Sequence, residues 1–439
     1  MWSISRLCTC LYFASTAWTW QHIFTEPEST SCHSACFTTD VSAFKTVKSP
    51  IWLSTSPLDS FERSKMSAVN DTAWEHWYFE GVSEAGDMFV TSFARDPSYK
   101  LFGQGVLRLE LRFSWANGTS FGLVEAVKIS RVEDCCGEVF GTWSSPEKTF
   151  AFRISADLKT AVVELNSPTV QGKVELESFG PSRYPDGETW PSRTASTQLS
   201  PHLHFTESIV AAEAKVDVTV AGSRLKFSGF GGHNHFWAAF DWFTIVLGWR
   251  LVRGVAGPYA FSIWHPVSKI NFGVEYQSAM LLKDGKPIFT AYGPLNKTST
   301  AATNHLIIGK KYGGAVHSEF LDPNSAWTLD FIAPETGERW WFDLEHKKLG
   351  MDVGLGAASS AAYFVEHVRG GEIDGEQYSG YAVAEQAFFP EVMGLDFMYR
   401  VWSYFLLETK ATVLGSLWSV SQAVFSEGIS MVTWKAFGR

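Results

Sequence analysis

The chain has 439 residues, of which 45% are hydrophobic and 15% aromatic, including 19 tryptophans and 34 phenylalanines. This length suits two ordinary domains or one large one, and the aromatic side chains suffice for a core and for the lining of an apolar cavity. The formal net charge is -10 and no run of lysine or arginine occurs, so the chain lacks the basic footprint of a nucleic-acid-binding protein.

Residues 1–20 have the pattern of a signal peptide. Met1–Arg6 carries one positive charge, and the uncharged apolar stretch Leu7–Trp20 contains small residues at Ser15–Ala17 for cleavage. Three Asn-x-Thr sequons, which are acceptors for glycosylation, begin at Asn70, Asn117 and Asn296. Together these features predict a glycoprotein that enters the secretory pathway or is secreted.

Four cysteines would remain after cleavage: Cys32, Cys36, Cys135 and Cys136. An even number in a secreted chain predicts two disulfides. A zinc site is the alternative, but the adjacent pair Cys135–Cys136 does not match the spacing of a zinc knuckle. We therefore expect disulfides between the N-terminal arm and the first domain, with the connectivity left open.

The chain then reads as an all-β protein. Residues 21–68 are rich in Ser, Thr and Pro and predict an extended arm. Residues 69–235 contain short runs that alternate apolar and polar side chains, and the Asn117-Gly118 step between two of them is typical of a hairpin. Residues 236–392 continue in the same way, with strands expected at Trp242–Arg250, Tyr259–His265, Phe272–Leu282, Thr328–Ile332, Arg339–Leu344 and Tyr378–Phe388. Many strands at short spacing predict two β-barrel or β-sandwich domains in tandem.

Residues 393–439 differ from the rest of the chain. Their apolar residues follow the spacing of an amphipathic helix, and Glu408 and Lys410 interrupt the run, which argues against a membrane span. The expected helical tail packs on the barrel, contacts a membrane surface or joins a dimer. The oligomeric state is left open.

Two segments carry residues for chemistry. In Trp74–Glu80, a strand would place Glu75, Trp77 and Phe79 on one face and His76, Tyr78 and Glu80 on the other. A glutamate walled by aromatic rings has a raised pKa and can act as an acid or hydrogen-bond donor. The alternative is a salt-bridged or exposed Glu75.

In Gly229–Trp237, three glycines precede His233, Asn234 and His235. A strand would point His233, His235 and Trp237 one way and Asn234 and Phe236 the other. The histidines could hydrogen-bond or transfer protons, or they could bind zinc with a third ligand from Asp241, His265 or His204. We prefer histidines without a metal. No Rossmann, P-loop or nucleophile-elbow motif occurs, so no cofactor is expected.

These motifs, together with Gly257-Pro258-Tyr259 and Tyr378–Tyr381, resemble the hydroxyneurosporene synthase (carotenoid 1,2-hydratase)-like superfamily, whose fungal branch includes lipocalin-like Diels-Alderases. The resemblance implies two lipocalin-like domains with a ligand pocket, lined at the positions of Glu75 and Trp237. It also implies cyclisation or hydration chemistry. Asn234 between the histidines and Phe236 before Trp237 depart from the hydratase members.

The sequence therefore predicts a cofactor-free cyclase that performs a Diels–Alder or hetero-Diels–Alder [4+2] cycloaddition on hydrophobic polyketide or terpenoid intermediates. Donors from His233, His235, Tyr78 or a protonated Glu75 would bind a carbonyl oxygen. The expected substrate-binding residues are Trp77, Trp237, Asp241, Trp242, Tyr259, Trp264 and Trp341. Two alternatives stay open. One is a hydro-lyase or zinc-dependent carbocyclase in which Glu75 or Asp241 protonates an alkene, and the other is a secreted lipocalin-like carrier without catalysis.

Overall fold

A computed structural model describes residues 36–102, 105–295, 302–354 and 359–391. The predicted signal peptide, the sequon at Asn296 and the predicted helical tail lie outside these residues. Within them the protein is almost entirely β, with two curled antiparallel sheets that form a half-barrel and a near-closed barrel. The prediction of an all-β fold with tandem lipocalin-like domains is confirmed.

The first sheet contains thirteen strands. In chain order they are β1 (Phe37–Ser42), β2 (Trp74–Val82), β3 (Met88–Arg95), β4 (Leu107–Ser114), β5 (Ser120–Ala126), β6 (Ile129–Cys135), β7 (Glu138–Ser145), β8 (Lys148–Ile154), β9 (Thr160–Asn166), β10 (Val170–Ser178), β11 (Gln198–Ser200), β12 (Leu203–Val220) and β13 (Ser223–Ala238). The spatial order is β1-β6-β7-β8-β9-β10-β12-β13-β2-β3-β4-β5, with β11 beside β12. A 3-10 helix, Pro97–Phe102, follows β3.

The second sheet contains nine strands. They are β14 (Val246–Ala256), β15 (Tyr259–Ser268), β16 (Val274–Lys283), β17 (Lys286–Pro294), β18 (His305–Tyr312), β19 (Asn324–Ala333), β20 (Glu338–Gly354), β21 (Ser360–Glu372) and β22 (Tyr378–Phe388). Their spatial order is β17-β16-β15-β14-β22-β21-β20-β19-β18. Because β13 runs to Ala238, the first sheet continues beyond residue 235, and the second sheet begins at Val246.

The expected strand start at Trp242 is wrong. Trp242–Ile245 forms the short helix α1, because the carboxylate of Asp241 accepts a hydrogen bond from the backbone N–H of Thr244 and caps the turn. No helix among the described residues is long and apolar enough to cross a membrane.

The central strands are buried on both faces. All nine residues of β2 and all eight of β3 are buried, as is β13 from Phe230 onward. By contrast, the first half of β13 alternates between exposed and buried residues, as a strand with one wet face does. Both faces of these strands are buried, because one face packs on the core inside the first sheet and the other packs against the second sheet.

The N-terminal arm is fastened to the first sheet. Its strand β1 pairs with β6, and Cys36 forms a disulfide with Cys135 across a sequence separation of 99 residues. Cys136 is disulfide-bonded as well. The expected covalent link between the arm and the first domain is therefore confirmed for Cys36 and Cys135.

Candidate active site

The paired strands β2 and β13 present two different sets of side chains. His233 is in register with Phe79, and His235 with Trp77, while Phe236 is in register with His76. Phe79 and Trp77 belong to the core inside the first sheet, whereas Phe236 belongs to the cluster between the two sheets. The predicted alternation of side chains along Gly229–Trp237 is confirmed.

The inward face holds a buried polar group that we call the inner cluster: Glu62, Glu75, His233 and His235. His233 Nε2 lies 3.0 Å from Glu62 Oε2, and His235 Nε2 lies 3.0 Å from Glu75 Oε1. The His233 ring stacks on Phe79 at 4.1 Å and the His235 ring on Trp77 at 4.6 Å between centroids. All four polar residues have no solvent exposure.

The inner cluster is largely satisfied by the protein itself. Glu75 accepts hydrogen bonds from Ser64 Oγ at 2.7 Å and from the backbone N–H of Lys65. Burial raises the pKa of Glu62, but the charge of His233 and its hydrogen bond outweigh that effect and hold the pKa below its usual range. Among the described residues, Glu62 Oε1 and His235 Nδ1 have no hydrogen-bond partner, although His235 Nδ1 lies 3.5 Å from Glu62 Oε2.

The inner cluster does not have the arrangement of a metal site. The second ring nitrogen of His233, Nδ1, lies 3.0 Å from the carbonyl oxygen of Tyr78. In the part of the chain that the structure describes, no group of three or more His, Cys, Asp or Glu side chains is placed to hold a metal ion.

The outward face of β2 and β13 carries aromatic rings that meet those of the second sheet. Trp74 stacks on Trp242 at 3.8 Å between centroids, and Phe236 contacts Trp264 edge-on at 5.0 Å. Trp242 in turn lies 5.0 Å from Trp249. These rings form an apolar, polarisable wall between the two sheets.

Within this wall lies a polar group that we call the inter-sheet cluster: Tyr78, Trp249, Tyr363 and Glu385. The Tyr78 hydroxyl donates to Glu385 Oε2 at 3.2 Å, and Trp249 Nε1 donates to Glu385 Oε1 at 3.1 Å. Tyr363 hydrogen-bonds to both Tyr78 and Glu385. A single buried carboxyl group is thus surrounded by three aromatic side chains that bear donors.

Burial sets the protonation state of this cluster. It raises the pKa of Glu385 to about 7, although the hydrogen bonds from Trp249, Tyr363 and Tyr78 oppose the rise. Burial also raises the pKa of Tyr78 and of Tyr363 well above the usual value, so both hydroxyls keep their protons at neutral pH. Below about pH 7 the Glu385 carboxyl and both tyrosine hydroxyls are therefore protonated, so the cluster is neutral and carries several hydrogen-bond donors.

A buried ion-pair network lies beside the inter-sheet cluster and links the two sheets. Arg253 of β14 donates to Glu80 Oε1 at 2.6 Å and to Asn234 Oδ1 at 2.6 Å, and it lies 2.8 Å from Glu207 Oε1. Arg183 pairs with the same Glu207 at 2.5 Å. Since all these groups are buried, the network fixes the position of the second sheet against β2, β12 and β13.

Two buried donors near this face lack an acceptor. Neither Trp264 Nε1 nor Asn234 Nδ2 has a hydrogen-bond partner within the described part of the protein, and both residues are almost fully buried. Leaving a buried donor unpaired costs about 1–3 kcal/mol. A bound molecule that carries acceptor oxygens would remove that cost.

The structure separates the residues that the sequence singled out. Tyr78, Trp242 and Trp264 meet between the sheets, whereas Glu75, Trp77, His233, His235 and Trp237 lie on the inward face. The remaining three lie apart from both groups: Asp241 caps α1, Tyr259 is in the core of the second sheet, and Trp341 projects from β20 opposite to the buried Trp340 and Phe342. Their roles toward a substrate stay predictions.

Glu385, Trp249 and Tyr363 were missed as site residues. Glu385 had a signal in the sequence, because Glu385-Gln386 interrupts the otherwise apolar run Ala382–Phe388. A charged residue in a strand with buried composition needs a partner or a changed pKa. Nothing in the sequence pairs it with Tyr78, which lies 307 residues away.

Comparisons with known proteins agree with this architecture. A sequence profile described as Diels-Alderase-like matches residues 33–390. The chain is 35% identical over 377 residues to the Diels-Alderase ffsF of Aspergillus flavipes, an alignment that covers 85% of this chain and 91% of ffsF. It is also 35% identical over 345 residues to the Diels-Alderase phmD of Phaeosphaeria nodorum, covering 78% of this chain and 96% of phmD.

The fold is similar to that of CghA, crystallised with Sch210972, with a TM-score of 0.72 and 23% identity over 81% of this chain and 100% of CghA. The resemblance inferred from the short motifs is confirmed. The chain belongs to the Diels-Alderase-like family and is a cyclase of the Diels-Alderase type.

Proposed function

We propose that the protein catalyses a [4+2] cycloaddition on a small hydrophobic polyene bound between the two sheets, with Glu385 and Tyr78 as the groups that bind the activating carbonyl. The observation that carries this proposal is the neutral inter-sheet cluster, in which Glu385 is held by Tyr78 and Trp249 amid stacked aromatic rings. Polyketide or terpenoid intermediates have the required apolar surface. Both the normal and the hetero-Diels–Alder reaction fit this arrangement.

A concerted cycloaddition needs no nucleophile and no net proton transfer, since two new σ bonds form as π bonds are lost. The protein must hold the diene and the dienophile in a folded conformation, and such positioning can supply several kcal/mol of the barrier, roughly up to 7–11. The walls that would hold the chain are Trp74, Phe236, Trp242, Trp249 and Trp264.

The second contribution is electronic. A donor directed at the carbonyl of the dienophile withdraws electron density and lowers the energy of its acceptor orbital. A protonated Glu385 or the Tyr78 hydroxyl can be that donor, and a preorganised donor in a dry site contributes about 2.7–4 kcal/mol. Trp264 Nε1 and Asn234 Nδ2, which have no acceptor among the described residues, are available to bind a second acceptor oxygen of the substrate.

The inner cluster has a supporting role in this proposal. His233 and His235 are engaged by Glu62 and Glu75, so we assign them to positioning β2, and hence Tyr78, on the opposite face. A catalytic role for these histidines and for Glu75 stays a prediction, and the same assay tests it.

The test uses a synthetic linear polyene that ends in an enone, with bicyclic product and its diastereomer ratio measured by chromatography. We expect the protein to raise the rate and to favour one diastereomer over the uncatalysed mixture. Glu385→Leu should lose most of the acceleration. If Glu385→Leu retains full rate and selectivity while His235→Ala loses both, the chemistry belongs to the inner cluster.

One observation favours a second function. A carboxylic acid that keeps its proton near neutral pH, as Glu385 does, is also suited to protonating an alkene and starting a cationic cyclisation or hydration. Reaction in deuterium oxide separates the two. A cycloaddition places no deuterium on carbon, whereas alkene protonation leaves one deuterium in each product molecule. Binding of the polyene without any product would instead favour a carrier.

A further inference from the structure

The tip of the β15–β16 hairpin exposes apolar side chains to water. Phe272 is 99% exposed and Ile270 is 38% exposed. Phe272 also has a φ of 53 degrees, a left-handed conformation that is unfavourable for a bulky residue. Backbone hydrogen bonds from Phe272 N to Lys269 O and from Gly273 N to Ser268 O hold the turn in this shape. In water no burial of the Phe272 ring offsets this backbone strain, whereas insertion into an apolar environment would bury the ring.

The tip lies at the surface end of a row of aromatic rings. Lys269 Nζ donates to the carbonyl of Phe243 at 2.9 Å, which ties the turn to α1. The ring of Phe243 lies 5.1 Å from that of Phe389, and Phe389 lies 5.1 Å from Trp249. Trp249 donates to Glu385. A row of packed aromatic rings thus runs from α1, beside the turn, to the inter-sheet cluster.

We propose that the turn Lys269–Gly273 inserts Ile270 and Phe272 into a lipid bilayer, so that the protein binds a membrane surface through this turn. A bilayer accepts an isolated apolar tip without shape complementarity, whereas a stable protein interface buries about 800 Å² on each partner. The net charge of -10 gives no general attraction to anionic lipids. The contact is therefore apolar and insensitive to salt.

A second contact holds the turn in place. Lys269 Nζ lies 3.5 Å from the carbonyl of Pro390. This proposal does not depend on the cycloaddition.

The test is co-flotation of the full-length protein with neutral phosphatidylcholine vesicles. A double variant, Ile270→Ser with Phe272→Ser, should bind at least about tenfold more weakly, and high salt should leave wild-type binding unchanged. The matched control is Ile129→Ser with Phe44→Ser, which removes an isoleucine and a phenylalanine that are 53% and 71% exposed on the β1–β6 side of the first sheet.

The flotation results either support the proposal or overturn it. Loss of flotation in the tip variant alone supports the proposal, and Phe272→Leu should then retain binding because it remains apolar. The proposal is overturned if the wild type does not float, if the tip variant floats as the wild type does, or if both double variants lose binding equally. Binding that occurs only with anionic vesicles and disappears in salt also overturns it. Because the cyclisation assay in solution is separate, failure here leaves the proposed chemistry untouched.

Discussion

At the scale of single residues, Glu385 determines the charge between the sheets. Its carboxyl group is buried, its pKa is raised to about 7 by that burial, and its donors come from Tyr78 on β2 and Trp249 on β14. A group that is protonated below about pH 7 and charged above it makes any activity that needs the neutral acid dependent on pH.

The first prediction concerns this dependence. If protonated Glu385 binds the carbonyl, the rate of cyclisation should be constant at low pH and fall as the pH rises through about 7, because the donor is lost. Glu385→Gln keeps a neutral N–H donor at every pH, so its rate should be lower but flat. Initial rates from pH 5 to 9, with the uncatalysed rate subtracted at each pH, test this. A wild-type rate that rises with pH would mean that the carboxylate acts instead.

The second prediction concerns the Tyr78 hydroxyl. Tyr78→Phe keeps the ring in the inter-sheet packing but removes one donor, so kcat should fall about tenfold, which corresponds to roughly 1.4 kcal/mol. The matched control is Tyr184→Phe in the core of the first sheet, whose hydroxyl donates to the carbonyl of Pro57, where we expect no change in kcat. If the control loses activity and Tyr78→Phe does not, the substrate binds elsewhere.

At the scale of strands, the contact between β13 and β14 requires a glycine. A Cβ at Gly232 would lie 2.0 Å from Arg253 Nη1 and 2.5 Å from the carbonyl oxygen of Ile209. The absence of a side chain there therefore lets the guanidinium reach Glu80 and Asn234 across the gap between the sheets.

The third prediction follows from this close approach. Gly232→Ala should displace Arg253 and leave buried carboxylates without their partner, which costs about 3–5 kcal/mol of stability. Gly81→Ala on the neighbouring strand is the control, since its Cβ would meet Ala214 Cβ at an ordinary 3.4 Å, and it should change stability by less than about 1 kcal/mol. Urea unfolding of both variants measures the difference. Equal stability would mean that the network adjusts without loss.

Strands were more predictable than the contacts between them. The alternation of apolar and polar residues in Leu107–Ser114 is visible locally and indicates a strand, although the structure buries nearly all of these residues. β21 was missed since Ser360–Ala362 gives no such signal, and α1 was missed because its aromatic residues suit a strand. Glu62, on an arm that seemed featureless, bonds to a histidine 171 residues away, and no local pattern encodes such a pairing.

At the scale of the whole molecule, the arm acts as a covalent strap. It is joined through Cys36–Cys135, pairs through β1, and delivers Glu62 to the inner cluster. A structural disulfide forms in an oxidising compartment, which supports the proposal, still untested, that the protein passes through the secretory pathway. Among the sequons, Asn117 lies in an exposed turn, as a glycosylation site requires.

The fourth prediction concerns this strap. Replacing Cys36, Cys135 and Cys136 by Ser removes the Cys36–Cys135 link, which closes a loop of 99 residues, together with the disulfide of the neighbouring Cys136, and should lower the free energy of unfolding by at least about 2–4 kcal/mol. Urea unfolding under non-reducing conditions measures the change. The control is the wild type with reductant, which should approach the variant. Unchanged stability would show that the noncovalent contacts of the arm suffice.

The two-sided strand pair β2–β13 has a consequence for the diversification of this enzyme. Alternate positions face different surroundings, so a gene library confined to Trp74, Phe236 and Ala238 would vary only what meets the second sheet. The interleaved positions Trp77, Phe79 and His235, which sustain folding, would stay constant. Point mutations at the outward-facing positions can then change which substrates are accepted. The inward-facing residues on which folding depends stay the same, so new products can evolve without loss of the fold.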